Sequence, residues 1–231
     1  MKTMCRLTIA CVVICWSVCV GAHDNFSRVW EAGHALIGVN VKDSNGFCLS
    51  YYGQNYQAKQ KDLRSQLSEY EYKEDVVDPI GNNVMFFAVI SDDIVLVKAF
   101  AEKGASLTKV HDTTLFHMAA AYASLPILDF LLSKGLSPDE KNGYGGTPLM
   151  VAASSNRLDV VKWLIAHGAN VNARTRDGGT ALFYSLACKD KELIRYLIRS
   201  GAELADREIK AGQNIGIDLE KEAKMAQQPA K

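Results

Sequence analysis

The chain has no excess of either charge sign: 26 Lys+Arg stand against 26 Asp+Glu over 231 residues. Such a balance carries no basic stripe of the kind that grips nucleic acid or an anionic membrane surface. No apolar run reaches the roughly 20 residues that a membrane-spanning helix needs. The longest, LTIACVVICWSVCV, has 14. Motifs that bring chemistry are missing too. There is no Gly-rich phosphate loop, no CxxC, no HExxH and no Gly-x-Ser-x-Gly elbow, so phosphoryl transfer, zinc proteolysis and serine-hydrolase chemistry find no signature. The five histidines, His23, His34, His111, His117 and His167, stand at no metal-ligand spacing with a cysteine or with one another. The expectation is a protein that is not an enzyme, with no cofactor and no metal.

Cysteine is scarce where it counts. Of six cysteines, Cys5, Cys11, Cys15 and Cys19 fall in the first 22 residues, and Cys48 and Cys188 stand alone in the rest. Those first residues run from a positive start (Lys2, Arg6) through the apolar stretch to Val20-Gly21-Ala22. That is the layout of a secretory signal peptide, with cleavage after Ala22. An uncleaved anchor is the alternative. Removal of residues 1–22 leaves 24 basic against 26 acidic residues and only two cysteines. Either one bridge or two unpaired thiols then fits, and a disulfide-rich scaffold does not.

What the chain does have is self-similarity. Four glycines, Gly104, Gly135, Gly168 and Gly201, each follow an apolar residue by nineteen positions: Met85, Phe116, Leu149 and Leu182. Between them, small residues recur three and four after the apolar anchor, best seen at Ala119-Ala120 and Ala152-Ala153. Apolar pairs recur at eleven and twelve and at fifteen and sixteen, as in Val160-Val161 and Leu164-Ile165. The second half of each unit therefore carries one apolar helix face. The first half carries small residues where a second helix must come close. Thr147-Pro148 suits a helix start, Thr as cap and Pro in the first turn, and Gly suits a left-handed helix stop. The unit is helix, tight turn, helix, Gly stop and polar loop.

GTPLMVAASSNRLDVVKWLIAHGANVNA and the following GTALFYSLACKDKELIRYLIRSGAEL resemble the ankyrin repeat. TLFHMAAAYASLPILDFLLSKGLSPD keeps that family's His as His117, and the copy from Asp78 is the most divergent. The family's His is replaced by Phe86, Met150 and Phe183 in the other three units, which puts its hydrogen bonding in question there. The resemblance implies an all-α solenoid of four repeats (78–108, 109–141, 142–174, 175–205), an N-terminal cap segment at 23–77 and a C-terminal cap and tail at 206–231. In the N-terminal segment Leu63, Leu67 and Tyr70 stand at helical spacing, consistent with a helix on the first repeat. In the C-terminal one Ile215, Ile217 and Leu219 are expected to cover the last repeat, with a frayed polar end.

The resemblance also implies a protein partner, held on loop tips and on the exposed side of the first helices. Carried over by position, the partner-binding residues are His111, Tyr122, Tyr144, Ser154, Ser155, Arg176, Asp177 and Cys188, with Ile90 and Ser91 in the first unit. His117 reads as a structural residue, His167 as a donor near a helix C-terminus, and Trp163 as packing. By analogy with exported ankyrin proteins, the expected role is a periplasmic immunity protein that binds and neutralises a toxic effector, for example a type VI secretion lipase. The alternatives are a periplasmic accessory or stress-protection protein supporting a partner enzyme, and a secreted effector that binds a host protein. Nucleic acid is not expected as a partner, nor is membrane insertion once the leader is removed.

Overall fold

The computed structural model describes residues 28, 29, 32, 54–72, 77, 82–107 and 114–227. Residues 1–22, expected from the sequence to be a leader, lie outside the described residues, as do Cys48, Pro79, Ile80, Val110, His111 and Thr113. Helix α1 (Gln54–Glu69) precedes four helix pairs: α2 (Val84–Ile90) with α3 (Ile94–Glu102), α4 (Leu115–Tyr122) with α5 (Leu125–Ser133), α6 (Pro148–Ser154) with α7 (Leu158–Ala166), and α8 (Ala181–Ser185) with α9 (Lys191–Arg199). A single 3-10 turn, Leu186–Cys188, extends α8. Two further helices, α10 (Asp206–Asn214) and α11 (Leu219–Ala226), close the C-terminal end. The described residues form no strand, only an isolated bridge between Val77 and Asn83.

Every second helix of a pair ends in the same way, for a reason local to the chain. Gly104, Gly135, Gly168 and Gly201 have φ of +90°, +84°, +89° and +93°. A Cβ at any of the four would meet nothing within 4 Å. Space is therefore not what selects glycine; the left-handed backbone is. It lets the following amide reach back to close the helix, as Ala169 N–H does to the Leu164 carbonyl at 3.0 Å and Ala202 to Leu197 at 3.0 Å.

The N-termini of the first helices show four answers to one need. Thr114 accepts from the His117 amide, Thr180 from the Phe183 amide, and Asn83 from the Phe86 amide. Thr147 stands at the cap position of α6 and caps nothing: its buried hydroxyl has no hydrogen-bond partner. The expectation of a capping Thr147 is corrected here, and its hydroxyl also lacks the second partner that its counterparts have. In the second repeat the ring of His117, almost fully buried, bonds the Thr114 hydroxyl through Nδ1 at 2.8 Å and donates from Nε2 to the Gly146 carbonyl at 2.8 Å. A carbonyl only accepts, so the proton sits on Nε2. In the third repeat Met150 replaces that ring and offers the hydroxyl nothing. In the fourth, where Phe183 replaces it, Thr180 instead donates to Glu208 of α10 at 2.9 Å.

Ala119, Ala120, Ala152 and Ala153 are fully buried and let the first helices approach closely along the stack. Phe87, Phe116, Leu149 and Leu182 from the first helices meet Val97, Ile127, Leu128, Val161, Leu164, Leu193 and Leu197 from the second in one continuous core. Helix α1 seals one end: Leu63 and Leu67 are buried, and Tyr70 packs edge-on against Phe100 at 6.2 Å. Val29 and Ala32, both helical and buried, add to the same core. At the other end Ile217 and Leu219 are buried as expected, with Ile215 half-buried. The polar stretch after them does not fray at once, since α11 runs to Ala226. Glu222 holds it: 4% exposed, its carboxylate receives Arg195 of α9 at 2.7 Å and Lys191 at 3.5 Å.

Candidate partner-binding surface

Two loop tips are built to the same plan. In the third repeat Asn142 N–H donates to the Gly146 carbonyl, and its side-chain oxygen accepts from Tyr144 and Gly146 at 3.0 and 2.8 Å. In the fourth, Thr175 N–H donates to the Gly179 carbonyl, and its hydroxyl accepts from Gly179 at 2.8 Å. Gly145 and Gly178, at φ +81° and +82°, make the bend. The tips are then coupled, because Arg176 N–H donates to the Tyr144 carbonyl at 3.1 Å. A Cβ on Gly145 would sit 3.3 Å from that same amide nitrogen, so glycine is needed there for approach as well as for φ.

The tips present what the sequence suggested. Tyr144 is 73% exposed, one of four large apolar side chains so placed among the described residues. Arg176 is exposed beside it and makes no ion pair among the described residues. Asp177, also exposed, is held by the Thr175 hydroxyl at 2.6 Å and by Arg207 of α10 through its backbone carbonyl and carboxylate. The Thr175 hydroxyl, followed by its own backbone N–H and the Arg207 guanidinium, keeps the Asp177 carboxyl below the ordinary carboxylate value. Arg207 also stacks over the Phe183 ring at 4.4 Å. Tyr144, Arg176 and Asp177 thus form one row whose backbone is tied from the third repeat to the C-terminal cap.

The first-helix positions divide. Tyr122 and Ser154 are half-buried, with the Ser154 hydroxyl spent on the Val151 carbonyl at 2.9 Å. Ser155 is 3% exposed, and Ile90 and Ser91 are fully buried, so none of these three offers surface as the sequence reading expected. The chain turns inward where each first helix ends, and neighbouring elements cover these residues. Ser91, for instance, has its hydroxyl on the Ala88 carbonyl and its own carbonyl under Arg64. Cys188 is half-buried and bonded in a disulfide whose partner lies outside the described residues. Its Sγ lies 3.2 Å from the Ser154 carbonyl oxygen, a packing contact, since a cystine sulfur has no hydrogen to donate. Trp163 packs as expected, stacked on His167 at 3.9 Å with its indole N–H on Asp129 at 2.9 Å. His167 donates from Nδ1 to the Trp163 carbonyl at 2.8 Å.

One feature escapes any reading of the letters. Arg157, 8% exposed, sends its guanidinium back to the preceding repeat, donating to the Ala121 carbonyl at 3.2 Å and the Ala123 carbonyl at 2.8 Å while facing Asp159. These carbonyls end α4, where no further helix turn can use them. Arg64 of α1 does the same for the first repeat, donating to the Ser91 and Asp92 carbonyls at 2.7 and 2.9 Å. Arg157 also lines an open cleft of about 440 Å³ with Gln57, Gln60, Asp92, Tyr122 and Asp159. Its only sequence signal is a cation immediately before a helix, where a short polar cap is the common choice.

Paired helices with left-handed glycine stops, stacked through small residues and tied at their loop tips, define a solenoid of the ankyrin type. Residues 116–208 match the family model of ankyrin repeats, in three copies. The pair α2–α3, which precedes the matched stretch, has the same cap, turn and Gly stop and extends the stack by one unit. No curated protein matches the chain significantly. Ankyrin repeats are protein-binding modules, in general not enzymes.

Proposed function

We propose that this module works outside the cytoplasm as an immunity protein, holding a toxic effector from a neighbouring cell, such as a type VI secretion lipase, in an inactive complex. The observation that carries the binding half is the row of Tyr144 and Arg176, an aromatic and a guanidinium exposed side by side on a frame hydrogen-bonded across repeats. These residue types anchor protein interfaces, giving large area or forked donors at small entropic cost. The export half is supported by the leader-like start and by the disulfide at Cys188, a bond that persists in oxidising compartments. The neutralising role is an analogy with other exported solenoids.

The full chain is co-expressed with the product of the adjacent gene and purified from the periplasmic fraction. A stable complex at roughly nanomolar Kd or tighter is expected, and Tyr144→Ala with Arg176→Ala weakens it at least about tenfold. Absence of any complex sinks the immunity role. Deletion of the gene distinguishes the roles further. An immunity protein's loss causes killing only by effector-bearing neighbours. Loss of an accessory protein for a partner enzyme causes stress sensitivity without them. A secreted effector is recovered from the medium.

A further inference from the structure

Cys188 is disulfide-bonded, and all five other cysteines of the chain lie outside the described residues. We infer that its partner is Cys48, and that the bond staples the segment ahead of α1 to the fourth repeat. The inference rests on the export reading in one respect: removal of the leader takes Cys5, Cys11, Cys15 and Cys19 with it and leaves Cys48 alone.

The placement of α1 supports the same partner independently. Although α1 packs on the first repeat, its Gln57 lines one cleft with Arg157 and Asp159 of the third. Cys188 rests its sulfur 3.2 Å from the carbonyl of Ser154, three residues before Arg157. Six residue steps separate Cys48 from Gln54, where α1 begins, and an extended chain of that length covers at most about 20 Å. The N-terminal half of α1 therefore borders a cleft that the third repeat also lines, which shortens the span that residues 48–53 must bridge to Cys188.

The bond forms by thiol–disulfide exchange. One thiolate attacks an oxidant disulfide, a thiol oxidoreductase in the cell or oxidised glutathione in vitro. The second thiolate then displaces the bound oxidant thiol. The two cysteines lose two protons and two electrons, and the oxidant disulfide leaves as two thiols. The closed ring runs from residue 48 to residue 188 and takes in α1 and three of the four repeats. Closing so long a loop removes much of the freedom of the unfolded chain. It also joins parts that a solenoid, whose units touch only their neighbours, otherwise leaves uncoupled.

The test uses the full chain expressed with export and purified without reductant. It is alkylated in denaturant, digested with trypsin and analysed by mass spectrometry, with its N-terminus sequenced. Cys48 and Cys188 fall in separate peptides, 43–59 and 177–189, each with one cysteine. The expected result is a start at His23, those two peptides linked, no alkylated Cys188, and a Tm that falls by about 5–15 °C on reduction. Cys48→Ser then yields a monomer with one alkylatable thiol at Cys188. A start at His23 with Cys188 alkylated in the untreated protein, or with Cys188 joined to a second chain, overturns the pairing and leaves export standing. A retained leader with Cys188 linked to peptide 7–28 or to Cys5 overturns both.

Discussion

Arg157→Met should destabilise the stack far more than its place beside an exposed acid suggests. Methionine keeps much of the apolar stem and removes the guanidinium, so packing changes little. The carbonyls of Ala121 and Ala123 lose donors at 3.2 and 2.8 Å. Hydrogen bonds to a charged group contribute about 1.5–3 kcal/mol each, and a buried acceptor left unmade costs about 1–3 kcal/mol. The ion pair with Asp159, whose side chain is 56% exposed, adds only about 0–1 kcal/mol. Water entering from the adjoining cleft of about 440 Å³ recovers part of the loss. The balance is about 3 kcal/mol, or about 6–12 °C in Tm for a chain of this size. Urea titrations followed by circular dichroism, with thermal melts, measure it. Arg157→Lys should fall between, since an ammonium reaches one carbonyl but does not fork. Asp159→Asn should cost under about 1 kcal/mol. If Arg157→Met lies within about 0.5 kcal/mol of the parent, water serves the carbonyls as well as the guanidinium does, and the reading of Arg157 as an inter-repeat clasp is wrong.

Other perturbations separate features that look alike in the sequence. Thr147→Val removes a buried hydroxyl with no partner and should be neutral or stabilising by up to about 1 kcal/mol, whereas Thr114→Val, which breaks a cap and the His117 contact, should cost about 1–2 kcal/mol in the same melts. Arg195→Met should destabilise more than Glu222→Gln, by about 1–2 kcal/mol. The first leaves a buried carboxylate with only Lys191 at 3.5 Å, while the second leaves cations that water can reach. Asp177 contributes stability that is present above its unfolded-state pKa and lost as pH falls through its lower folded value, so Asp177→Asn and the parent should converge in acid. Thr175→Val removes the largest cause, and an NMR titration of the Asp177 carboxyl should move up towards the ordinary value; an unmoved midpoint refutes the assignment to Thr175.

What the sequence by itself determined is whatever a residue's immediate chain neighbours decide. The four glycine stops need a positive φ and nothing else, so their spacing alone marks the units, and small residues and apolar pairs at fixed offsets mark the faces. Tyr144 and Arg176 were legible as surface because a tight loop tip points its side chains outward whatever lies below. The fates of Arg157, Glu208 and Glu222 were decided only in tertiary structure, by groups about thirty residues away, one repeat up or down. Of three threonines at helix starts, Thr114 and Thr180 accept an amide and have a second partner in His117 and Glu208, while Thr147 has neither. An arginine before a helix reads as solvent-facing until the carbonyls of the previous helix end come beside it. Cys188 on its own letters reads as a partner-facing residue, with one bridge or two unpaired thiols both open, and only the folded chain half-buries it and engages it in a disulfide. In a stack whose units each meet only their neighbours, the period is written along the chain, and the polar contacts between units are written across it.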